Sequence, residues 1–339
     1  MDLPVGLSYL KVVPSYDCAK GCFYCYNTLL GQRSTPNPQA VESAVMDVLE
    51  RSPVPLTVEI IGGEPLEPPA LEFTIKLLEM LRSHPKCDRT VVSTALASPR
   101  ILSRVSGLVD LLYFSIDVSE DGRNRKRISS ARLQNTIRGL AGDSEVAISV
   151  VIFGDETRDI FERHIGAMRE LGIKSIGFAH QSATWLSLRQ IEAIVALYHL
   201  LFKLRLADRS VRLEGTILDS MELYLLDGER TAACECARNS LAIEPDARVV
   251  PGVCTDHILG PLGSDTLHEN RDAALLKGDC GSCDLWNVCR GGCATEAKKF
   301  NGSPLSRAPF HCQIMKGLRD RVRDDVQRLP TLMSRTSTS

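Results

Sequence analysis

Cys18-Ala-Lys-Gly-Cys22-Phe-Tyr-Cys25 is the segment of this 339-residue chain that most constrains its fold and chemistry. It directly follows residues 7–13, an apolar and β-branched run that predicts a first strand. Three thiolates at this spacing can hold three corners of one inorganic cluster, and a 4Fe–4S cluster usually takes four cysteines. Because no fourth cysteine lies nearby, one iron would be left for a ligand or a substrate. Zinc is the alternative, although a structural zinc site normally closes a shell of four ligands.

Strand-like and helix-like stretches alternate around this segment. The short apolar or β-branched runs are residues 7–13, 57–61, 90–93, 111–116, 146–152 and 175–178, and the longer stretches with helical spacing are 37–51, 69–83, 98–106, 131–141 and 157–171. This repetition predicts an α/β fold with a parallel sheet and helices packed outside it. Six such units suggest a partial or full barrel, with a doubly wound open sheet as the competing fold. In both folds the ligand lies at the carboxyl ends of the strands.

The sequence pattern changes after about residue 187. A helical stretch over 187–207 leads into irregular sequence rich in glycine and cysteine, where 242–250 predicts a hairpin with Glu-Pro-Asp-Ala as its turn. A closing helix is predicted over 312–328, and the tail 334–339 is polar and small, so we expect it to be disordered. We therefore divide the chain into a core barrel (1–185), a helical connector (186–230), a small cysteine-rich domain (231–328) and a disordered tail (329–339).

The composition excludes several classes of protein. The 40 Lys+Arg and 42 Asp+Glu residues give a net charge of −2, which argues against a strongly basic nucleic-acid binder. The N-terminus lacks the basic region and apolar run of a signal peptide, and no apolar stretch is long enough to span a bilayer, so we expect a cytoplasmic protein. In a reducing compartment the 12 cysteines indicate metal binding or catalysis rather than disulfides. Only Cys87 stands alone, and we expect it to be a buried small hydrophobe.

The spacing C-x3-C-x2-C, with an aromatic residue before the last cysteine, resembles the signature of the radical S-adenosylmethionine superfamily. One βα unit later, Gly62-Gly63-Glu64-Pro65 follows the second predicted strand and resembles the motif with which that family holds the amino group of S-adenosylmethionine. Glycines let the backbone approach a ligand, and Glu64 offers a carboxylate to an ammonium group. The resemblance implies that Cys18, Cys22 and Cys25 hold a 4Fe–4S cluster whose open iron takes S-adenosylmethionine.

Other strand ends are similar to the cofactor contacts of the same family. Ser115-Ile116-Asp117 ends the fourth predicted strand, where the family shows a Ser-Leu-Asp-Gly segment near the cofactor, and Val118 replaces the glycine. Ser93 ends the third strand, where many members carry Thr-Asn-Gly, and the resemblance implies a ribose contact. Arg127 matches an arginine that pairs with the methionyl carboxylate, although its basic run is also typical of a solvated face.

A second group of cysteines begins with the spacing C-x2-C-x5-C-x3-C over residues 280–293. With the later Cys312 it resembles the SPASM extension of radical enzymes, which carries two auxiliary 4Fe–4S clusters. The resemblance implies a distal cluster on Cys280, Cys283, Cys289 and Cys312, and a nearer cluster on Cys236, Cys254 and Cys293, with Cys234 as candidate fourth ligand. Two departures are Ala247, in place of a usual glycine, and Pro-Gly-Val before Cys254 in place of proline alone. A pair of zinc ribbons would also explain these thiolates, but not the first cysteine group.

The resemblance implies an enzyme that uses S-adenosylmethionine and three 4Fe–4S clusters for net two-electron oxidation, as in desaturation, dehydrogenation or crosslinking. Asp256 and His257 are candidate proton acceptors, with an exposed polar loop as the alternative interpretation. The substrate is either a side chain of a ribosomally made peptide or a small molecule such as an aminosugar or aminocyclitol in antibiotic biosynthesis. A flavodoxin- or ferredoxin-type reductant is the expected partner. We expect the protein to bind neither nucleic acid nor a membrane. A non-enzymatic electron carrier is a third class, but it needs no Gly-Gly-Glu-Pro motif.

Overall fold

The computed structural model describes residues 3, 6–25, 27, 35–95, 98–116, 135–137, 144–156, 158–181, 184–207, 210–226, 228, 239–250, 252 and 266–336. The strands are β1 (Tyr9–Val12), β2 (Leu56–Ile60), β3 (Cys87–Thr94), β4 (Leu111–Ile116), β5 (Glu145–Ile152), β6 (Ser175–His180), β7 (Arg212–Glu214), β8 (Ser240–Ile243) and β9 (Val249–Val250). The helices are α1 (Pro38–Arg51), α2 (Leu71–Arg82), α3 (Pro99–Val105), α4 (Arg158–Glu170), α5 (Leu188–Ala207), α6 (Thr216–Leu225), α7 (Thr266–Leu276), α8 (Trp286–Cys289), α9 (Ala294–Asn301) and α10 (Pro309–Thr336). All six predicted strands are therefore present, and of the helix predicted over 131–141 the described residues 135–137 are helical.

The nine strands form one sheet in the order β7-β6-β5-β4-β3-β2-β1-β8-β9. Every pair is parallel except β8 with β9, and β1 to β7 lie side by side in chain order. A doubly wound sheet would reverse its strand order at a switch point, so that competing fold is excluded. Within the described residues no pairing joins the edge strands β7 and β9. The predicted α/β fold with a partial barrel is confirmed.

Three strands extend this sheet beyond the six predicted units. The segment predicted as a helical connector contains β7, which pairs in parallel with β6 between helices α5 and α6. At the other edge the predicted hairpin is present as β8 and β9, and β8 also pairs in parallel with β1. In the hairpin turn Ala247 has a φ of +69°, in the left-handed region that favours glycine. The cysteine-rich region of the chain therefore shares its sheet with the barrel.

Helices α1 to α4 connect parallel strands of the sheet, and each buries apolar residues. The sequence of helix α1 determines where the helix begins and which face it buries. Asn37 accepts a hydrogen bond from the backbone N–H of Ala40, and Pro38 occupies the first turn, where its missing N–H costs nothing. Its inner face consists of Val41, Val45, Val48 and Leu49. In the described residues, no helix has the length and apolarity needed to cross a membrane.

The closing helix is longer than its sequence prediction. Helix α10 begins at Pro309 and continues to Thr336, so helix replaces most of the disorder predicted for 329–339. Leu329, Leu332 and Met333 are good helix formers, so the sequence favours continuation of the helix although Pro330 contributes no N–H to it. The last three residues lie outside the described part of the chain.

Candidate active site

A cavity of about 560 Å3 opens at the carboxyl ends of β1 to β4 and continues into the barrel. The thiols of Cys18, Cys22 and Cys25 line its mouth, together with Gly62, Gly63 and Glu64. Its inner wall combines the apolar side chains of Val91 and Leu111 with polar ones, which are those of Tyr9, Lys11, Glu59, Ser93, Tyr113, Ser115, Ser149 and Glu214. Because six different strands contribute to one cavity, the sheet is curved enough to enclose a ligand. The structure thus brings the first cysteine group and the Gly-Gly-Glu segment to one site.

The two glycines allow the loop after β2 to lie directly against the loop that carries the cysteines. Gly62 has a φ of +129°, and a Cβ on Gly63 would lie only 2.1 Å from the carbonyl oxygen of Asp17. The N–H of Gly63 donates to the carbonyl of Ser15, and the N–H of Glu64 donates to that of Asp17, both at 2.9 Å. The glycines are therefore required by backbone packing, independently of any bound cofactor.

The carboxylate of Glu64 is 2 % exposed and is held by donors of the protein itself. It accepts hydrogen bonds from the hydroxyl of Thr94 (2.6 Å), the N–H of Ala95 (2.8 Å) and the N–H of Leu66 (3.2 Å). Burial raises the pKa of Glu64, and these three hydrogen bonds oppose that effect without cancelling it. The carboxylate thus fixes the loop to the end of β3. Its predicted contact with the ammonium group of a cofactor stays a prediction.

Aromatic contacts hold the other side of the cysteine loop. The ring of Tyr24 lies 4.7 Å from that of Phe153, which follows β5, and the ring of Phe23 lies 5.5 Å from it. The segment after β5 is ordered in turn by Glu156, which accepts hydrogen bonds from the N–H groups of Phe153 (2.9 Å) and Gly154 (2.8 Å). The sequence analysis did not predict these contacts between the cysteine loop and the segment after β5. Their only signal in the sequence was the aromatic pair within the cysteine motif.

Glu59 is the centre of a polar network on the inner wall. It accepts hydrogen bonds from the hydroxyl of Tyr9 (3.1 Å) and from the hydroxyl of Ser93, and the ammonium of Lys11 lies 3.9 Å away. Burial, followed by the charge of Glu59, raises the pKa of Tyr9, which stays a neutral donor. Each carboxylate oxygen keeps a lone pair free of these contacts, so the wall can accept a further hydrogen bond from a ligand.

The predicted cofactor contacts are described only in part. Ser93 and Ser115 line the cavity, whereas Pro65 is buried beneath the loop. The predicted residues Asp117, Arg127, Cys234, Cys236, Cys254, Asp256 and His257 lie outside the described residues. Cys87 is half-buried at the start of β3, where its thiol contacts the carbonyl of Arg89 at 3.8 Å.

A second, smaller cavity collects four thiols of the C-terminal region. Cys280, Cys283, Cys289 and Cys312 line it, and Cys293 does not. Cys293 instead precedes α9 at its N-cap position. Burial raises the pKa of Cys289 to about 12 and also raises the pKa of Cys280 and Cys312, so ionising these thiols requires a compensating positive charge. Iron ions supply such a charge. The grouping matches the predicted distal ligand set, whose metal binding stays a prediction.

The four thiols are compatible with a cluster that spreads its ligands over several irons. Tetrahedral zinc needs four ligand atoms within about 2.3 Å of one centre. Across the described ranges, no three His, Cys, Asp or Glu side chains converge closely enough to hold one metal ion. A four-iron cluster instead carries its thiolates on separate irons, further apart. The donor set of both cysteine groups is therefore compatible with iron–sulfur clusters.

The loops around the second cavity are held by one buried arginine. Arg271, 3 % exposed, donates to four backbone carbonyls, those of Arg290 (2.8 Å), Gly291 (2.9 Å), Pro304 (2.8 Å) and Ser306 (3.3 Å). Three consecutive residues between Cys289 and Cys293 have positive φ: Arg290, Gly291 and Gly292. This turn reverses the chain directly after Cys289, and Arg271 satisfies its carbonyls. Sequence reasoning missed this arginine.

The chain is similar to known proteins in sequence and in fold. Residues 10–138 match a family described as a 4Fe-4S single cluster domain. The chain is 25% identical, over 362 aligned positions, to the mycofactocin maturase MftC of Mycobacterium tuberculosis (strain CDC 1551 / Oshkosh). That alignment covers 92% of this chain and 83% of the relative.

Solved structures show the same fold over most of the chain. A structure titled native anSMEcpe with bound AdoMet has a TM-score of 0.70 at 18% identity, covering 96% of this chain and 99% of that one. Streptococcus suis SuiB bound to its precursor peptide SuiA has a TM-score of 0.63 at 15% identity, with 91% and 77% covered. The likeness therefore extends through the barrel into the cysteine-rich region.

Proposed function

We propose that this chain is a radical S-adenosylmethionine protein with a SPASM-type C-terminal region, and that it oxidatively modifies a side chain of a ribosomally made peptide. One observation carries the radical chemistry: the three thiols of the first cysteine group and the Gly-Gly-Glu loop line a single cavity, whose inner wall carries several polar side chains. A ligand at the mouth of that cavity faces the barrel interior. A substrate group inside the barrel would therefore lie next to the cofactor.

The residues of the cavity have distinct roles in this proposal. When bound, a 4Fe–4S cluster and S-adenosylmethionine together supply a 5′-deoxyadenosyl radical, which removes hydrogen from a substrate carbon. Cys18, Cys22 and Cys25 would hold the cluster, and the backbone at Gly62-Gly63 would receive the methionine end. The remaining cofactor contacts would come from Ser93, Ser115, Asp117 and Arg127. The polar barrel wall would orient the substrate and exclude water from it.

The relatives support a peptide substrate over a small molecule. The similar protein of M. tuberculosis is named a maturase, and the similar SuiB structure holds a precursor peptide. An oxidative outcome is supported by the second thiol group, since Cys280, Cys283, Cys289 and Cys312 would hold an auxiliary redox centre. Cys234, Cys236, Cys254 and Cys293 would hold another, which makes three clusters in all. Asp256 or His257 would accept the substrate proton, and a flavodoxin or ferredoxin would be the reductant.

Anaerobic reconstitution tests the radical site. The full chain should bind about 12 irons, four for each cluster. Replacing Cys18, Cys22 and Cys25 together by alanine should remove about a third of the iron and all cleavage of S-adenosylmethionine. Retention of cleavage by this triple variant would refute the assignment of the active cluster.

The substrate is tested with a candidate precursor peptide encoded beside the gene. Incubation with dithionite and S-adenosylmethionine should remove two hydrogen atoms from the peptide, as measured by mass spectrometry, with formation of 5′-deoxyadenosine. A peptide whose isotopic mass stays unchanged while a small aminocyclitol is oxidised would overturn the peptide proposal in favour of the dehydrogenase.

A further inference from the structure

A fully buried carboxylate, that of Glu296, lies where the cysteine-rich helices meet the barrel. Glu296 belongs to α9, the helix that begins directly after Cys293. One of its oxygens accepts hydrogen bonds from the N–H groups of Phe310 (2.7 Å) and His311 (3.0 Å) in the first turn of α10. The preceding Pro309 has no N–H, so Glu296 satisfies the first donors that this helix offers. A negative charge is also favoured there by the helix dipole.

The second oxygen of Glu296 faces the barrel. It lies 3.7 Å from Nε2 of His180, the last residue of β6. The ring of His180 is in turn 6.2 Å from that of Tyr198 on α5 and 6.1 Å from that of His311 on α10. Burial disfavours ionisation of Glu296, but its interactions with His180 and with the backbone N–H of His311 outweigh burial, so the pKa of Glu296 lies below the ordinary value. One carboxylate thus joins the end of β6 to the first turn of α10.

The first turn of α10 positions Cys312, the member of the second thiol group that lies furthest along the chain. Cys312 is the only lining thiol on α10, and its N–H donates to the carbonyl of Ala308 at 3.0 Å. Gly292 has a φ of +73°, and a Cβ there would lie 2.7 Å from the ring of His311. The segment that follows Cys289 therefore packs against the same turn. The separation between Cys312 and the other thiols depends on where this turn sits.

We propose that Glu296 is a positioning residue for the auxiliary cluster: it holds the turn carrying Cys312 within reach of Cys280, Cys283 and Cys289 and links that turn to the barrel through His180. The inference rests on the proposed function, in which these four thiols share an iron–sulfur cluster. Glu296 itself is not a ligand, because its oxygens are directed to backbone donors and to histidine.

The test compares four variants of the full chain after anaerobic reconstitution. Glu296→Gln keeps a hydrogen-bond acceptor but removes the charge, and Glu296→Ala removes both. Asp324→Asn makes the same change from carboxylate to amide at an exposed position of α10 and serves as the matched control. Cys283→Ala reports whether the thiol group holds iron at all. Iron content, the electron paramagnetic resonance spectrum of the reduced protein and the reduction potential of each cluster are measured.

Glu296→Ala should lose about four irons, the content of one cluster, while cleavage of S-adenosylmethionine persists. Glu296→Gln should keep its iron but shift the spectrum and potential of one cluster, and Asp324→Asn should match the unaltered protein. If sedimentation shows Glu296→Ala to be unfolded, the spectrum and potential of Glu296→Gln decide, since a merely structural role would not move them. If Cys283→Ala loses iron but Glu296→Gln shows unaltered spectra, the inference is overturned. If Cys283→Ala also keeps all its iron, the cluster assignment itself is wrong and the inference falls with it.

Discussion

Replacing Glu64 by glutamine should loosen the Gly-Gly-Glu loop, weaken the binding of S-adenosylmethionine and leave the iron in place. The carboxylate accepts from Thr94 and Leu66 on one oxygen and from Ala95 on the other. Glutamine has one oxygen and one NH2 group, so in either orientation a backbone N–H of Leu66 or Ala95 would face another donor. The loop would then lose a satisfied hydrogen bond at a buried position.

A buried donor left without an acceptor costs about 1–3 kcal/mol. Since about 1.4 kcal/mol corresponds to a factor of ten, the affinity for S-adenosylmethionine should fall roughly 5- to 140-fold if the cofactor needs the ordered loop. The pH dependence has a defined sign. Because burial raises the pKa of Glu64, the folded protein holds the proton on this carboxyl group more tightly than the unfolded chain does. The stability that this proton contributes is therefore lost as the pH rises through the pKa of Glu64 in the folded protein. The glutamine variant should lack that part of the pH dependence.

The affinity is measured by anaerobic titration of the reconstituted protein, and the stability by urea unfolding at several pH values. Glu79→Gln, on the exposed face of α2, makes the same chemical change outside the site and should alter neither quantity. A Glu64→Gln protein with unchanged affinity and an unchanged stability profile would refute the reasoning, because it would show that the three buried hydrogen bonds do not hold the loop.

Three further perturbations follow from contacts described above. Gly63→Ala should displace the cysteine loop, because its Cβ would lie 2.1 Å from a backbone oxygen, and should remove about a third of the iron. The matched control is Gly107→Ala, whose Cβ would meet nothing within 4 Å and which should keep all of the iron. Cys283→Ala combined with Cys289→Ala should uncouple the reaction, giving 5′-deoxyadenosine without product in a protein shown by sedimentation to be compact; normal product formation would instead indicate a redox-neutral reaction. Arg271→Lys cannot reach four carbonyls with one nitrogen, so the free energy of unfolding should drop by about 1–3 kcal/mol in calorimetry, and an equal stability would contradict its assigned role.

The sequence was sufficient for the strands that carry a clear local pattern. Leu111–Ile116 has the predicted bounds because both ends of this apolar run are marked by polar residues or a change of spacing. Strand β7 was missed because it has three residues, of which only Leu213 is fully buried, and too short a pattern shows no period. The pairing of β8 with β1 was also missed, since two distant segments carry no local record of their contact.

The same distinction applies to the candidate site. The cysteine spacing and the Gly-Gly-Glu segment were recognisable because each is a continuous motif. The partners of Glu64 come from the end of the next strand, and Glu296 meets helix α10 and strand β6, which no spacing along the chain indicates. Buried polar contacts between elements depend on the completed fold, so their roles became visible only in three dimensions.

The place of β1 between β2 and β8 has a consequence for how the protein is made. During synthesis β1 emerges early, but one of its two hydrogen-bonding edges stays without a partner until β8 has left the ribosome. Throughout that interval the nascent barrel exposes an apolar strand edge directly beside the cysteine loop, which is a template for pairing with other chains. Premature termination before β8 should therefore yield aggregates rather than a working barrel, and insertion of iron into the first cysteine group is expected to follow completion of the chain.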